Sequence, residues 1–228
     1  MGPYHRSPIV LVREIEGSSL VITVSKDGRA VLWSGHQRRQ IGFFDLEGEV
    51  LSADVNKQSN VLAVSRASGL VQFYSISSFD TPFVFREFRL TKGTPIEQVV
   101  FSSNGEELAA LSAAEQRVYY LLTSVKNPFE VLGYVKLAHH PYSINWHVTQ
   151  KTAVKPKHEH LLICIGYGVL LINGPAAVST KKRGENLNLQ ADIYAIRTDV
   201  DQRLVSNLPS GEIITTGDDK FIKKYRQP

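Results

Sequence analysis

The feature that most constrains the fold is a hairpin that recurs along the chain. Apolar runs of about four to six residues alternate with clusters of Gly, Asn, Asp and Ser, which is the pattern of strands rather than helices. In the first hairpin, strands at 19–24 and 29–33 flank Ser25-Lys26-Asp27-Gly28. An Asp-Gly pair readily accepts the positive φ angles of a tight turn. The sequence therefore predicts an all-β protein.

The hairpin belongs to a larger repeating unit. Similar hairpins follow at 61–74, 107–121 and 212–225, and most are preceded by one strand and followed by another. The third strand of each unit closes on a large side chain, in turn Trp33, Tyr74, Tyr120, Ile172 and Tyr225. Each unit has four strands, as a β-propeller blade does. Its period of roughly 40 to 53 residues lies within or just beyond the range of such blades.

Five blades are predicted, at 8–44, 49–90, 95–135, 141–189 and 202–225. Residues 1–7 are interpreted as a tail or a cloning remnant, and residues 8–228 as the propeller segment. A four-stranded sheet cannot bury both of its faces alone, so blades must stack. An open fragment, part of a propeller that continues past Pro228 and a compact five-bladed ring all fit. An unclosed ring would leave a strand edge for the rest of the chain or for a partner.

The stretches SKDGRAVLW (25–33) and TTGDDKFIKKY (215–225) resemble the WD-repeat family. In each, the third strand closes on an aromatic residue and follows a strand that ends in small or hydroxyl residues. The resemblance implies a WD40-like β-propeller. The chain has no Trp-Asp dipeptide, however, and its Gly35-His36 pair follows a blade instead of opening one. The blades are therefore predicted to be degenerate, without a buried Asp–His network, and held mainly by apolar packing between adjacent sheets.

Residues 129–228 resemble more closely the cilia- and flagella-associated WD-repeat proteins that tether inner-arm dynein to axonemal doublet microtubules. The stretches that carry this resemblance are FEVLGYVKLAHHPYSINW (129–146), LLICIGYGVLLING (161–174) and LPSGEIITTGDDKFIKKYRQP (208–228). It implies a structural role in the axoneme of a cilium or flagellum. The implied partners are tubulin, the microtubule doublet or dynein-associated subunits.

Composition excludes several classes of protein. The single cysteine, Cys164, cannot form an internal disulfide, which favours a reducing compartment such as the cytoplasm. The longest apolar runs, such as 161–165, are far shorter than the ~20 residues that cross a bilayer, so no membrane association is predicted. There is no phosphate-binding glycine loop, nucleophile elbow or paired catalytic motif. We therefore predict no catalytic residue, no cofactor and no enzyme activity.

Positive charge is concentrated in one part of the chain. Residues 131–184 contain seven basic residues and one acidic residue, Glu159, which leaves +6 there and −2 in the rest of a chain of net charge +4. Two loops of the fourth blade carry a candidate partner-binding patch: Lys151, Lys155, Lys157, Lys181, Lys182 and Arg183. Acidic tubulin tails, RNA or an acidic protein segment would be attracted to it, unless the loops are merely solvated. Aromatic residues are not interleaved as base stacking requires, so nucleic acid is not favoured.

Other candidate sites have ordinary structural explanations. His147, His158 and His160 lie near Cys164, but without the ligand spacing of a zinc site; we interpret them as an exposed histidine loop beside a small buried cysteine. His139-His140 is interpreted as a turn before a strand, and Gly166-Tyr167-Gly168 as a hairpin turn. Asp218-Asp219 is placed in the last hairpin turn, where Asp caps backbone N–H groups. No metal site is predicted.

The sequence thus favours a non-enzymatic scaffold that binds other proteins, with the axonemal dynein tether as the leading family. The alternative is a WD-repeat adaptor, or a scaffold of an RNA–protein complex, in the cytoplasm or nucleolus.

Overall fold

The computed structural model describes residues 5–15, 17–56, 58–78, 82–124, 129–148, 159–173, 183–191, 193–198, 200–208, 210 and 212–225. Every regular element in these ranges is a β-strand, which confirms the all-β prediction. The strands are β1 Ile9–Ile15, β2 Leu20–Ser25, β3 Arg29–Ser34, β4 Arg39–Asp45, β5 Ser52–Asn56, β6 Val61–Ser65, β7 Leu70–Ser75, β8 Phe83–Arg89, β9 Gln98–Phe101, β10 Glu107–Ser112, β11 Arg117–Leu122, β12 Glu130–Lys136, β13 Pro141–Val148, β14 Glu159–Ile165, β15 Gly168–Asn173, β16 Ile193–Arg197, β17 Gln202–Asn207, β18 Ile213–Gly217 and β19 Ile222–Tyr225.

Neighbouring strands in the sequence are also neighbours in the sheets. The orders are β1-β2-β3-β4, β5-β6-β7-β8, β12-β11-β10-β9, β13-β14-β15-β16 and β17-β18-β19, which we number sheets 1 to 5. The fourth strand of sheet 4 is β16, whose residues follow the stretch 141–189 that the sequence assigned to this blade. The chain divides into two compact units, Met1–Phe101 (unit 1) and Ser102–Pro228 (unit 2).

The turns between second and third strands show why the hairpin recurs. In four sheets, the N–H of the fourth turn residue donates to the carbonyl of the first, at 2.9 to 3.2 Å. The fourth residue has a positive φ in each case, which glycine adopts without steric cost. These residues are Gly28 (φ 88°), Gly69 (83°), Gln116 (53°) and Lys220 (63°). The Asp27-Gly28 signal is thus confirmed, while Gln116 and Lys220 adopt the same turn without glycine.

The other two predicted turns also occur. Gly166-Tyr167 forms the tight turn between β14 and β15, where Ile165 pairs directly with Gly168. Asp219 lies in the turn before β19, and its carboxylate accepts a hydrogen bond from the Phe221 N–H at 3.2 Å. The predicted capping role of an Asp in this turn is therefore confirmed for Asp219.

Unit 1 is held by apolar packing between sheets 1 and 2. Ile22, Val24 and Leu32 of sheet 1 belong to one buried cluster with Leu62 and Val64 of sheet 2. All five residues of β6 are buried, because this strand has neighbours on both sides within its sheet and is covered on both faces. The prediction that apolar contacts hold adjacent sheets together is confirmed here.

Unit 2 repeats the arrangement between sheets 4 and 5. Leu162, Cys164 and Val169 of sheet 4 form a buried cluster with Val205 and Ile213 of sheet 5. Cys164 is a buried free thiol in the middle of β14, as its apolar neighbours predicted. Burial raises its pKa to about 11, so the sulfur remains a protonated, space-filling group.

A buried carboxylate interrupts the apolar packing of unit 1. Asp54 on β5 accepts a hydrogen bond from the Phe101 N–H on β9 at 2.9 Å. The half-exposed Arg13 on β1 donates to its other oxygen at 3.1 Å. One side chain therefore connects three strands. The sequence did not indicate this contact, since Asp54 stands alone in an apolar run.

Arg66 is a second buried polar group of unit 1. Its guanidinium donates to the carbonyls of Gly48 and Glu49 at 2.8 and 2.9 Å. It also donates to the Gln72 amide oxygen at 2.9 Å and to the Tyr74 hydroxyl at 3.2 Å. These four bonds fix the loop between β4 and β5 against β7, and they satisfy a charge that would otherwise be costly to bury.

Replacement of Asp54 by Ala should destabilise unit 1 by about 1–3 kcal/mol, because the buried Phe101 N–H loses its acceptor. Asp54→Asn retains an acceptor oxygen and should cost less. Urea unfolding followed by Trp33 fluorescence in a Trp146→Phe background reports on unit 1. Asp45→Ala, which removes an exposed carboxylate, is the control. Equal stabilities of Asp54→Ala and this control would contradict the assignment.

The stability of unit 1 should also depend on pH through Asp54. Desolvation by burial raises the pKa of this carboxyl despite the opposing effect of Arg13. A raised pKa in the folded state adds stability that is complete below the ordinary Asp pKa of ~3.9 and is lost as pH rises through the raised pKa. Wild type should therefore lose stability relative to Asp54→Asn as pH increases through that window. Urea unfolding over a pH series measures the difference, and a difference of opposite slope would count against it.

Candidate interaction surface

The structure describes only one residue of the predicted basic patch. Lys151, Lys155, Lys157, Lys181 and Lys182 lie outside the described residues, and Arg183 lies within them. Arg183 is exposed, and its guanidinium forms an ion pair with Glu130 of β12. Its positive charge is therefore partly neutralised by Glu130 within unit 2. The patch as a whole stays a prediction.

The residues after Arg183 lie along the free edge of β12. The Tyr134 N–H donates to the Leu187 carbonyl at 2.8 Å, and the Leu189 N–H donates to the Tyr134 carbonyl at 2.7 Å. Tyr134 and Asn188 thus form a parallel β-bridge. We call residues 183–189 the edge segment. It covers backbone groups that an edge strand otherwise leaves exposed.

A bulge and a glycine in β12 make room for the edge segment. Leu132 has no direct partner on β11, because the register shifts at this point. The next residue, Gly133, has a φ of 148°. A Cβ at Gly133 would lie 2.5 Å from the Leu187 carbonyl oxygen and 2.9 Å from the Leu189 side chain. Only a glycine fits this position while the edge segment is bound.

Other fourth strands expose large apolar side chains. On β8 of unit 1, Phe83 is 59% exposed and Val84 and Phe85 are each 39% exposed. On β4 the exposed residues are Ile41 and Phe43, and on β16 of unit 2 they are Ile193 and Tyr194. These exposed surfaces were not predicted from the sequence. The signal was present in β8, whose FVF run is apolar at three successive positions, where a strand with one solvent face would alternate.

The two carboxylates of Asp218-Asp219 do not form a paired-acid site. Asp218 accepts two hydrogen bonds from Arg203, at 2.8 and 2.5 Å, and Asp219 pairs with Lys223 at 2.6 Å. Hydrogen bonds from these cations lower the pKa of both carboxyls. The Arg203 guanidinium also stacks on the Tyr142 ring at 4.1 Å. Both carboxylates are ionised and paired with separate cations, which is unsuited to general acid–base chemistry.

Two of the three histidines near Cys164, His147 and His160, lie on strands. His147 is wholly buried on β13, and His160 faces it on β14 as its direct cross-strand partner. The predicted exposed loop is therefore wrong for His147, because β13 continues through this residue to Val148. His158 lies outside the described residues. Within the described ranges, no cluster of three or more His, Cys, Asp or Glu residues could hold a metal ion. His139 lies in a bend before β13, as predicted.

In the part of the chain that the structure describes, no helix is both long and apolar enough to cross a bilayer.

Neither a family profile nor a curated protein sequence matches this chain. Several solved structures are nevertheless similar to it. One is a chain in "Crystal Structure of Mitotic Checkpoint Complex", with a TM-score of 0.71 and 13% identity over 98% of this chain and 63% of that one. Another is the Myceliophteria thermophila Cps50 (Swd1) beta-propeller domain, with a TM-score of 0.66 and 12% identity over 96% and 65%. A third is U3-55K, with a TM-score of 0.71 and 11% identity over 97% and 62%.

The chain thus spans 62 to 65% of the length of these similar structures. At such low identity the likeness shows the fold alone. None of the three is described as an axonemal protein. Together with the five antiparallel sheets, the comparisons confirm the predicted fold class, a WD40-like β-propeller or propeller segment of about five blades.

Proposed function

We propose that this protein is a non-enzymatic scaffold that binds other proteins through the surfaces of its blades. The observation that carries the proposal is the exposure of large apolar side chains on fourth strands, most densely at Phe83, Val84 and Phe85 of β8. Contiguous exposed apolar groups on a folded domain mark interaction sites.

The β8 surface has the composition of a binding site. Phe85 and Phe88 lie against the buried Phe73 ring, with centroids 6.5 and 6.2 Å away. These rings are therefore held in place before a partner arrives, which reduces the entropy lost on binding. Arg86 lies over the Phe88 ring at 6.0 Å. Aromatic residues and Arg are enriched among the residues that dominate binding energy at protein interfaces.

The axonemal role is the more specific form of this proposal. It rests on the resemblance of residues 129–228 to dynein-tether proteins and on the basic loops, which would attract acidic tubulin tails. An adaptor, or a scaffold of an RNA–protein complex in the cytoplasm or nucleolus, is equally compatible with the fold, and U3-55K and a mitotic checkpoint complex chain are among the similar structures. In either form the partners are proteins, and the fold supplies the surface rather than chemistry.

Phe83→Ser with Phe85→Ser should abolish most partner binding in cells, because it removes two apolar anchors. Proximity labelling by wild type and by this variant, at equal expression, measures the change. Val12→Ser, at an exposed apolar residue of β1, is the control and should retain the wild-type set. Any captured protein must then bind the purified chain directly. A variant that labels the same proteins as wild type would exclude β8 as the binding surface.

Microtubule co-sedimentation distinguishes the axonemal form from the alternative. Wild type should co-sediment at low salt, and Lys181→Glu with Lys182→Glu should bind several-fold less, since screened charge attraction provides the affinity. Arg183 is left intact because it pairs with Glu130. Removal of the tubulin tails by limited proteolysis should have the same effect as the two substitutions. Absence of binding, combined with RNA retention in a gel shift at physiological salt, would favour the alternative instead.

A further inference from the structure

The edge of sheet 1 has the same design as the edge that the edge segment covers in sheet 3. The register of β3 and β4 shifts between Leu32 and Trp33, which leaves Ile41 without a direct partner. In β12 the equivalent bulged residue is Leu132. Each bulge is followed by a glycine and then an aromatic residue, Gly42-Phe43 in β4 and Gly133-Tyr134 in β12. Bulges of this kind re-aim an edge strand.

The third strands of both sheets add the same contact. In sheet 1 the Arg29 guanidinium lies over the Phe43 ring at 4.1 Å from its centroid. In sheet 3 the Arg117 guanidinium lies over the Tyr134 ring at 4.2 Å. Arg29 and Arg117 occupy the same register position, opposite the last residue of β4 and of β12. In both sheets a cation therefore stacks on the aromatic ring beside the glycine.

The two edges differ in whether they are covered. Leu132 is only 6% exposed, whereas Ile41 is 47% and Phe43 is 52% exposed. β4 is the last strand of sheet 1, and no described segment pairs with its other side. A Cβ at Gly42 would meet only the Leu32 side chain of β3, at 3.9 Å, so no backbone lies against this glycine as Leu187 lies against Gly133. β4 thus has the bulge and the glycine of β12, but among the described residues no segment pairs with its free edge.

The charge at the start of the strand is reversed between the two edges. Glu130 lies three residues before Gly133 and pairs with Arg183, four residues before Leu187. The residue three positions before Gly42 is Arg39, which is exposed. A segment docked on β4 as the edge segment docks on β12 would therefore need an acidic residue where the edge segment has Arg183.

We propose that the free edge of β4 binds an extended segment of a partner protein with the pattern acidic-x-x-x-aliphatic-x-aliphatic. The segment runs parallel to β4, exchanges hydrogen bonds with the Phe43 backbone, covers Ile41 with its aliphatic side chains and pairs its acidic residue with Arg39. Strand addition of this kind draws affinity from backbone hydrogen bonds and selectivity from side chains. This inference rests on the proposed scaffold function and names the partner's chemistry at one edge.

The other fourth strands do not share the pattern. In β8 the bulged residue Phe85 is followed by Arg86 and Glu87, in place of glycine and an aromatic residue. β16 pairs with β15 without a register shift. The inference of strand addition is therefore specific to β4.

Labelled peptides test the proposal on the intact chain. The probes are fluorescein-EGENLNLQ, which is the sequence of residues 183–190 with Arg183→Glu, and fluorescein-RGENLNLQ, which is the native sequence. Anisotropy should show that the wild-type protein binds the acidic peptide roughly three- to tenfold more tightly, the range expected for a surface ion pair gained against a like-charge contact. Arg39→Glu should reverse this preference.

Blocking the edge provides the second arm of the test. Gly42→Val should abolish binding of the acidic peptide, because at the equivalent Gly133 a Cβ would lie 2.5 Å from the carbonyl oxygen of the docked segment. The fold should be retained, because Gly42 lacks a positive φ and has open space around it; circular dichroism checks this.

Equal affinity for both peptides, or binding that survives Gly42→Val, would overturn the proposal. Self-association lost in Gly42→Val would also overturn it, by identifying a second copy as the occupant. If the β8 variant loses partners in cells but neither peptide binds, the edge inference fails and the scaffold function stands.

Gly133→Val should release the edge segment from β12, because its side chain would collide with Leu187 and Leu189. Hydrogen exchange at the Leu189 and Tyr134 amides should become faster than in wild type, since both N–H groups lose their acceptors. Gly42→Val is the matched control and should leave these two amides protected. Unchanged protection in Gly133→Val would show that the glycine is not what admits the segment.

Discussion

The structure depends on one requirement, that a four-stranded sheet bury two faces which it cannot cover by itself. In unit 1 this requirement joins sheets 1 and 2 through a cluster that includes Ile22, Leu32 and Leu62. In unit 2 it joins sheets 4 and 5 through Leu162, Val169 and Ile213. In sheets 1 to 4 the second strand is buried more completely than the fourth, because it is enclosed within the sheet as well as by its neighbours. The blade is stable only as a member of a stack.

Polar groups within such a stack must be satisfied locally, and unit 1 shows two solutions. Asp54 binds a backbone N–H of β9 and an arginine of β1, so that it ties strands of different sheets. Arg66 uses its planar guanidinium to collect two loop carbonyls and two side chains. Geometry of this kind suits arginine rather than lysine, because several donors are fixed in one plane. These contacts add specificity to packing that is otherwise apolar and tolerant of shifts.

The parts of the fold that local chemistry determines were predictable from sequence. Asp27-Gly28 marked a hairpin because the turn needs a positive φ at Gly28, and the strand runs around it followed from composition. Long-range contacts left no such signal. His147 looked like a loop residue because the polar sequence after it hid the continuation of β13. Asp54 and Arg66 gain their partners only after folding, and nothing adjacent in sequence indicates them. For the candidate basic patch, the structure places only Arg183, with an ion-pair partner that the sequence did not suggest.

Gly42 and Gly133 show why surfaces are harder to predict than sheets. Each glycine precedes an aromatic residue in a fourth strand, and the sequence gives no indication that one strand is covered while the other is exposed. The difference arises because residues 183–189 return to β12 from a point far along the chain. Covering an edge removes the backbone groups that would pair with other chains, whereas leaving one exposed is a risk that folded proteins usually avoid. The β4 edge keeps the bulge, the glycine and the stacked ring of β12, and no described segment pairs with it, which is the basis of the proposed strand addition. Its selectivity would then come from the reversed charge at Arg39, which disfavours the protein's own edge segment and so leaves the site free for another chain.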